Sequence, residues 1–351
     1  MHALTVIPGK KGSARLSEMP EPAQAYGPVL VQTRAVGICG TDQEILDGSY
    51  GQVPPGEERL ILGHESVGQV IEAPPGTSLR EGDWVVGIVR RPDPVPCLHC
   101  AAGEWDMCRN GLFLERGIKG LHGFASERFR IEPEFAVRID PGLAELGVLL
   151  EPASVVAKAW DHIERIGRRA RFEPERVLVT GAGPIGLLAA LLGVQRGLRV
   201  DVLDRNTEGP KPGLVRDLGA SYRVGPVNEV CQEADIVLEC TGAASILFDV
   251  IESARASGIV CLTGVSSRGR VVPVDAGGLN RELVLENNVV FGTVNANRAH
   301  YELAAAALGK ANRAWLSRLV TRQVPLERWS EVIERQPSDV KRILRFEGVE
   351  S

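Results

Sequence analysis

The chain has 351 residues, of which 44% are hydrophobic and 24% are charged, and its formal net charge is −5. This length accommodates two domains with separate cores, and the composition is that of a globular protein. The negative charge and the absence of a long Lys/Arg run argue against nucleic acid or an anionic membrane as a partner. Residues 1–6 read as a strand rather than a signal peptide, and no apolar stretch is long enough to span a membrane.

The seven cysteines are an odd number and do not form the pattern of a secreted disulfide framework. We therefore expect reduced thiols and a cytoplasmic location. Three cysteines lie in apolar surroundings and are predicted to be small buried thiols without special chemistry, namely Cys231, Cys240 and Cys261.

Residues 1–153 are rich in glycine and proline and contain short β-branched runs at 29–36, 67–71 and 84–89. This pattern predicts strands joined by turns and hence a β-rich domain. From residue 154 the pattern changes to helices alternating with apolar strands at 176–180, 199–203, 221–224, 235–239, 258–262 and 289–292. Such alternation predicts an α/β domain over 154–296, with a doubly wound parallel sheet covered by helices. Residues 297–351 return to short strands and are expected to rejoin the first domain.

A glycine-rich motif follows the strand at 176–180 and opens a predicted helix at 185–196. Its first glycine permits a tight turn, its second lets a pyrophosphate approach the backbone, and its third lets helix and strand pack closely. The positive end of the helix would hold the phosphates. The motif predicts a Rossmann-type dinucleotide site formed by Gly181, Gly183, Pro184, Ile185 and Gly186.

The next strand ends at Asp204, where a carboxylate would accept hydrogen bonds from the adenosine ribose and repel a 2′-phosphate. This favours NAD. Arg205 beside it and Lys211, in a predicted Gly-Pro-Lys-Pro-Gly loop, could instead hold that phosphate, so NADP stays an alternative.

A candidate metal site combines Cys39 with His64 and Glu65. A thiolate, an imidazole and a carboxylate suit a zinc ion with one position open to substrate, and a neighbouring dinucleotide domain strengthens this interpretation. Glu151, near the predicted domain junction, is a further candidate that could exchange with Glu65 as a ligand. Thr41 could relay the proton of a bound hydroxyl, or could instead cap the following helix.

A second cluster, Cys97-x-x-Cys100 followed by Cys108, occupies a predicted lobe around residues 90–110. Its spacing is typical of a structural zinc site, which requires a fourth ligand. Proline occupies the position where a further cysteine would continue the spacing. Asp93 is the preferred substitute and His99 the alternative, and a vacant or weak site also remains open.

Together these motifs resemble the zinc-dependent medium-chain dehydrogenase/reductase superfamily, and the glucose dehydrogenase family within it, over essentially the whole chain. The likeness rests on Gly37-Ile-Cys-Gly-Thr-Asp42-Gln-Glu-Ile45, Gly63-His-Glu65, the cysteine lobe, the glycine motif, Leu150-Glu-Pro152, Cys240-Thr-Gly242, Leu285-Glu-Asn-Asn288 and Gly292-Thr-Val-Asn-Ala-Asn297.

The resemblance implies a β-rich GroES-like catalytic domain at 1–153, a Rossmann domain at 154–296 and a return to the catalytic domain at 297–351. It also implies a homo-oligomer, tetramer or dimer, that oxidises the anomeric hydroxyl of an aldopyranose, with glucose as first guess, to a lactone. Catalytic zinc would be held at Cys39, His64, Glu65 and Glu151, and NAD(P) would accept the hydride.

The same likeness assigns residues around the substrate. Glu115 matches an acid that contacts the sugar, and Asn295 matches an asparagine near the nicotinamide and the sugar. Thr41 and Glu151 also face the substrate in this interpretation, Thr241 lies in a cofactor-binding motif, and His300 is a weaker candidate for a sugar contact. Ser154 stands where some relatives carry an acid near the sugar, which leaves the sugar's configuration open.

Two alternative functions are retained. A polyol, secondary-alcohol or threonine dehydrogenase of the same superfamily would share the metal and nucleotide motifs. A noncatalytic nucleotide-sensing relative would keep the fold without its chemistry, although such a protein would be expected to have lost the zinc ligands.

Overall fold

A computed structural model describes residues 1–230, 234–266, 269 and 271–346. Cys231, predicted to be a buried thiol, lies outside these residues, whereas Cys261 is fully buried and Cys240 is partly buried. The chain divides into two compact units. Unit 1 comprises Met1–Ser154 together with the segment from Asn295 onward, and unit 2 comprises Val155–Val294.

The strands of the described residues are β1 His2–Val6, β2 Arg15–Glu18, β3 Val29–Ile38, β4 Leu60–Ile61, β5 Glu65–Glu72, β6 Trp84–Gly87, β7 Arg90–Arg91, β8 Leu114–Arg116, β9 Gly120–Leu121, β10 Arg128–Ile131, β11 Ala136–Arg138, β12 Arg176–Thr180, β13 Arg199–Leu203, β14 Ser221–Arg223, β15 Ala234–Glu239, β16 Ala254–Leu262, β17 Val289–Gly292, β18 Val320–Pro325 and β19 Lys341–Arg345.

The helices of the same residues are α1 Gly40–Leu46, α2 Leu98–Ala101, α3 Leu150–Gly167, α4 Pro184–Gln195, α5 Pro210–Asp217, α6 Val227–Val230, α7 Leu247–Glu252, α8 Ala276–Leu285, α9 Arg298–Lys310, α10 Arg313–Leu319 and α11 Ser330–Ile333. Within the described part of the chain, no helix combines the length and the apolar character needed to cross a membrane.

Unit 1 is built around a seven-stranded sheet in the order β11-β6-β5-β3-β19-β18, with β10 also paired to β3. β3 is the centre of this sheet, and its apolar residues are buried along nearly its whole length. β19, from the C-terminal part of the chain, pairs antiparallel with β3 in the register Arg342 to Ile38. The segment after unit 2 therefore completes the sheet that carries Cys39 at the end of β3.

Unit 2 contains a six-stranded parallel sheet in the order β14-β13-β12-β15-β16-β17. The apolar run of β12 is buried from Val177 to Thr180, as expected for a central strand covered on both faces. α4 is apolar around most of its circumference and is buried from Gly186 to Gly193. It packs beside α3, where the indole nitrogen of Trp160 donates to the carbonyl of Ala189 at 3.3 Å. The predicted α/β class with a Rossmann-type sheet is confirmed.

Candidate active site

Cys39 and His64, separated in sequence, meet in unit 1. Sγ of Cys39 lies 3.1 Å from Nε2 of His64. Together with a carboxylate oxygen of Glu65, their ligand atoms lie within 4.8 Å of one another. Thiolate, imidazole and carboxylate are the donors that zinc prefers, and this spacing allows one ion to contact all three. The arrangement therefore fits a zinc ion.

The conformation of Cys39 depends on its place at the N-terminus of α1. Its Sγ accepts a hydrogen bond from the backbone N–H of Thr41 at 3.2 Å, and its own N–H donates to Asp42 at 2.9 Å. Cys39 is thus the capping residue, and Thr41 lies inside the first helical turn. The alternative interpretation of Thr41 as the cap was wrong, because Sγ of Cys39 occupies that position.

Asp42 is a functional residue that the sequence interpretation did not single out. It is fully buried, and its Oδ1 lies 3.5 Å from Nδ1 of His64. Burial opposes protonation of His64, but Cys39 and Asp42 outweigh it and raise the pKa of His64 well above its usual value. A carboxylate beside Nδ1 orients the ring so that Nε2 faces the metal. The capping position of Asp42, three residues after Cys39, was the available signal.

Glu65 is anchored by Lys341, an ion pair in which both side chains are buried. Lys341 opens β19, whose neighbour β3 contains Gly37. A Cβ at Gly37 would overlap the Glu65 carboxylate and lie 2.8 Å from Cε of Lys341, so glycine makes room for the pair. Lys341 was missed because no local pattern connects it to residues so far away in sequence.

Glu151 lies in the first turn of α3 and is 9% exposed. Burial is the main cause that raises its pKa to about 7, with attraction to His64 and repulsion from Glu65 as smaller contributions. Glu151 is therefore close enough to interact electrostatically with both residues. It does not belong to the compact group of ligand atoms formed by Cys39, His64 and Glu65.

Gly63 sets the path of the chain before His64. Its φ is +86°, and a Cβ would lie 2.6 Å from Cγ1 of Val36. Its carbonyl accepts a hydrogen bond from Phe124 at 2.9 Å. Glycine is thus required by both the backbone conformation and the close approach to β3.

Glu115 and Asn295, both predicted to face the sugar, are in direct contact. Nδ2 of Asn295 donates to Oε1 of Glu115 at 2.8 Å, and Arg90 donates to the same oxygen from Nε at 3.1 Å and from Nη2 at 2.9 Å. Asn295 adopts a positive φ of 61°, a conformation that asparagine tolerates better than most residues. Arg90 was not anticipated from the sequence, although it stands opposite Glu115 in the β7–β8 pair.

Tyr50 also lies near this carboxylate. Burial, followed by repulsion from Glu115, raises the pKa of Tyr50, whose side chain remains 47% exposed. The surrounding loop is fixed by a bridge between Gln52 and Lys119.

His300 and Ser154 are occupied by contacts within unit 1. His300 lies at the start of α9, where its Nδ1 accepts from the backbone N–H of Asn297 at 3.3 Å. Ser154 is fully buried, and its hydroxyl donates to the carbonyl of Glu151 at 2.6 Å. These contacts account for both side chains locally, and the sugar contact of His300 stays a prediction.

The three cysteines of the lobe come together, with Cys97, Cys100 and Cys108 presenting sulfur atoms within 4.8 Å of one another. Backbone N–H groups, first that of Arg109, lower the pKa of Cys97 to about 6, whereas burial raises the pKa of Cys100 to about 11. Asp93 is 2% exposed, and its Oδ2 is buried and accepts no hydrogen bond from the described residues.

The backbone N–H of Asp93 donates to the sulfur of Cys100, and an orphaned buried carboxylate oxygen is chemically suited to a metal. The carboxylate does not belong to the compact group of ligand atoms formed by the three cysteines, so its role as fourth ligand stays a prediction. The alternative, His99, is half-exposed and lies 3.4 Å from Glu104.

The glycine motif of unit 2 has the geometry of a dinucleotide loop. Gly181 has a φ of +88°, and a Cβ at Gly186 would overlap the carbonyl oxygen of Gly181. A Cβ at Gly183 would meet no atom within 4 Å. Backbone conformation and packing therefore account for the first and third glycines, whereas packing within the protein does not account for the second. Pro184 and Ile185 open α4 directly after it.

Asp204 follows β13 and is already engaged by the protein. Its carboxylate accepts from the N–H groups of Ala182 at 2.7 Å and Asn206 at 2.9 Å, and from Nζ of Lys211 at 3.1 Å. Burial opposes ionisation, but these contacts lower its pKa. Arg205 is exposed.

Lys211 lies in the first turn of α5, and the prediction that its Gly-Pro-Lys-Pro-Gly segment is a loop was wrong. Proline is tolerated in the first turn of a helix because its missing N–H has no partner there. The side chain of Lys211 is consequently buried against Asp204.

Thr241 is held by Glu239, a residue the sequence interpretation overlooked. Glu239 is 2% exposed and accepts from the N–H of Thr241 at 2.7 Å and from the hydroxyl of Thr180 at 3.2 Å. The hydroxyl of Thr241 also donates to this carboxylate. The turn after β15 is thus fixed to the end of β12.

Comparison with known proteins identifies the family of the chain. The family described as Glucose dehydrogenase C-terminus matches residues 144–346, and the Alcohol dehydrogenase GroES-like domain matches residues 25–141. The chain is 39% identical to glucose 1-dehydrogenase of Methanocella arvoryzae, over 97% of this chain and 98% of the relative. The chain belongs to the glucose 1-dehydrogenase family of zinc-containing medium-chain dehydrogenases. The family prediction and the GroES-like domain are thereby confirmed.

Other members of the family extend the likeness. Glucose 1-dehydrogenase of Thermoproteus tenax is 39% identical over 99% of this chain and 100% of the relative. The structure of Haloferax mediterranei glucose dehydrogenase in complex with NADP, Zn and gluconolactone matches with a TM-score of 0.91. It is 34% identical and covers 99% of this chain and 100% of that one.

Proposed function

We propose that this protein is a zinc-dependent aldose 1-dehydrogenase that oxidises the anomeric hydroxyl of glucose to gluconolactone with NAD(P)+. The C1 hydrogen would leave as a hydride to the nicotinamide, and the hydroxyl proton would pass to a base. Full-length similarity to glucose 1-dehydrogenases, one of them solved with NADP, Zn and gluconolactone, supports this assignment. The observation that carries it is the convergence of Cys39, His64 and Glu65 within 4.8 Å in unit 1.

The zinc would be held by Cys39 and His64, with Glu65 and Glu151 as further or exchanging ligands. When bound, it supplies a Lewis acid that lowers the pKa of the reacting hydroxyl. Asp42 keeps Nε2 of His64 directed at this position, and Lys341 limits the movement of Glu65. The hydroxyl of Thr41, two residues after Cys39, would relay the proton of the sugar hydroxyl toward solvent, accepting it while giving up its own.

Sugar recognition is assigned to Glu115 and Asn295, with Glu151 and Thr41 beside the reacting carbon. A polyol requires several hydrogen-bonding groups converging on one substrate, and a buried carboxylate discriminates strongly between sugars that do and do not supply a donor. The contact between Glu115 and Asn295 at 2.8 Å supports a shared role. His300 is a weaker candidate for a sugar contact in this proposal.

For the cofactor we favour NAD+, with NADP+ as a second acceptor. Asp204 supports NAD+ because its carboxylate would repel a 2′-phosphate, and Lys211 weakens that repulsion because it pairs with Asp204 at 3.1 Å. Arg205 is exposed and could contact the phosphate. Structural zinc at Asp93, Cys97, Cys100 and Cys108, and a dimeric or tetrameric state, also belong to the proposal.

A substrate panel with metal analysis tests the proposed function. Purified protein is assayed with glucose, galactose, xylose, sorbitol and threonine, each with NAD+ and NADP+. We expect turnover on at least one aldose, and loss of both turnover and catalytic zinc in Cys39→Ser. Cys261→Ala, which removes a buried thiol of unit 2, is the matched control and should retain both. Activity confined to sorbitol or threonine, or undiminished turnover in Cys39→Ser, would reject the assignment.

A further inference from the structure

Three donors converge on a single oxygen of Glu115. Oε1 accepts from Nε and Nη2 of Arg90 and from Nδ2 of Asn295, at 3.1, 2.9 and 2.8 Å. In the described part of the chain no donor reaches the other oxygen, Oε2, and this atom is not among those sealed from solvent. The carboxylate is therefore held asymmetrically, with one oxygen bound to protein and the other free to accept.

The side chain of Arg90, like that of Glu115, is held in place by several contacts. Arg90 is 7% exposed and its guanidinium lies 3.7 Å above the ring of Phe113. Its Nη1 donates to the carbonyl of Asp106 at 3.1 Å. Arg90 and Glu115 are directly opposite each other in the antiparallel β7–β8 pair, so their side chains share one face. Little freedom remains to either side chain.

We propose that Arg90 is a positioning residue that occupies Oε1 of Glu115 and so presents Oε2 to a hydroxyl group of the sugar. The proposal rests on the proposed function, because it needs a sugar beside Glu115. A guanidinium can fill one carboxylate oxygen with two N–H groups, whereas an ammonium cannot reproduce this fork. A fixed acceptor binds a donor more tightly than a mobile one because less side-chain entropy is lost on binding.

Asp106 connects this arrangement to the cysteine lobe. It lies in the turn Trp105–Met107 directly before Cys108, and its Oδ1 accepts from Nδ2 of Asn297 at 2.9 Å. Its carbonyl is the acceptor for Arg90. The lobe, through Asp106, therefore supports the position of Arg90 as well as its own fold.

Arg91 provides a closely matched control. It is the next residue of β7, is 6% exposed, lies 3.9 Å above the ring of Phe135 and donates to Glu132 at 2.9 and 3.2 Å. It thus shares the burial, the aromatic contact and the carboxylate partner of Arg90. Its carboxylate partner, Glu132, is not a sugar-contacting candidate.

The test compares Arg90→Lys with Arg91→Lys in steady-state kinetics and in glucose binding by titration calorimetry. We expect Arg90→Lys to raise the KM and the Kd for glucose on the order of tenfold, the loss of one good hydrogen bond, with kcat and the dinucleotide KM nearly unchanged. Arg91→Lys should lower thermal stability to a similar degree and leave the glucose KM at the wild-type value. Arg90→Gln, which keeps one amide donor, replaces Arg90→Lys if the lysine variant does not fold.

Deoxyglucoses provide a second test, which addresses the contact between Glu115 and a sugar hydroxyl. One deoxyglucose, lacking the hydroxyl bound by Glu115, should bind wild type more weakly than glucose, and this penalty should shrink in Arg90→Lys. An unchanged glucose KM in Arg90→Lys, or an equal rise in Arg91→Lys, would reject the positioning role while leaving the proposed function intact. A wild-type chain without turnover on any aldose would reject both.

Discussion

The ion pair between Asp204 and Lys211 changes the role expected for each of these residues. From sequence, Asp204 reads as a free carboxylate and Lys211 as a loop cation. In the structure they form one buried pair, and Asp204 also accepts from the backbone of Ala182 in the glycine motif. The carboxylate therefore supports the glycine motif in addition to the ribose contact that we propose for it.

Replacing Asp204 should shift cofactor preference toward NADP+. Asp204→Ala removes a negative charge that opposes the 2′-phosphate and leaves Lys211 unneutralised, so the ratio of kcat/KM for NADP+ to that for NAD+ should rise on the order of tenfold. Asp204→Asn keeps an acceptor for Ala182 and separates the effect of charge from loss of the loop contact. Lys211→Met should move the ratio in the opposite direction. If both ratios stay at the wild-type value, this pair is not the selector.

Other individual roles were not accessible from sequence. Cys39, His64 and Glu65 could be grouped because their types match zinc ligands. Lys341, which pairs with Glu65, could not, because only the pairing of β19 with β3 brings it there. Arg90 likewise acquires its role from the register of two short strands.

At the scale of elements, the ends of β12 and β15 are tied together by Glu239. This buried carboxylate accepts from Thr180 on one strand and from Thr241 and Gly242 after the other. Gly264 approaches it so closely that a Cβ there would lie 2.5 Å from Oε2. The carboxyl ends of parallel strands are where dinucleotides bind, so the shape of this edge depends on one side chain.

Glu239→Gln should weaken dinucleotide binding. The amide replaces an acceptor oxygen by a donor that faces other N–H groups, and hydrogen bonds to a charged group contribute about 1.5–3 kcal/mol each. We expect the Kd for NADH and NADPH to rise at least on the order of tenfold, measured by the fluorescence of these reduced forms on binding. Asp201→Asn, a buried carboxylate of β13 paired with Arg223, is the control and should bind normally. Equal affinity in all three proteins would contradict the role of Glu239.

Most element positions were predictable, and the errors have identifiable causes. The strand predicted at 176–180 is observed as β12, because a continuous apolar run is required by burial on both faces. α3 begins at Leu150, before the change of pattern predicted at residue 154, since Pro152 is compatible with a first helical turn. This difference places Glu151 at a helix N-terminus. α5 was missed for the same reason, with two prolines at its start.

For the whole molecule, the candidate zinc ligands belong to unit 1 and the glycine motif belongs to unit 2. Composition and the alternation of strands and helices were sufficient to predict two folding patterns, because each depends on local periodicity. The participation of β19 in the sheet of unit 1 depends on pairing over more than 300 residues. That pairing leaves no local trace in the sequence beyond a short apolar run.

Because the candidate zinc ligands and the glycine motif belong to different units, we expect zinc and the dinucleotide to bind largely independently. Removal of zinc by a chelator should abolish glucose oxidation, while the Kd for the dinucleotide changes by no more than about twofold, or ~0.4 kcal/mol. Fluorescence titration of the chelated and zinc-loaded proteins measures this, and readdition of zinc should restore turnover. A rise in the dinucleotide Kd beyond tenfold on chelation would show that the two sites are energetically linked.

The pairing of β19 with β3 also constrains the order in which the protein can be assembled during synthesis. Val155–Val294 is continuous, so its parallel sheet has all its strands before translation reaches residue 295. The seven-stranded sheet instead waits for residues 341–345, and Lys341 reaches Glu65 only then. In a nascent chain Glu65 therefore stays without its Lys341 partner, and the edge of β3 that pairs with β19 stays open, until the last strand emerges from the ribosome.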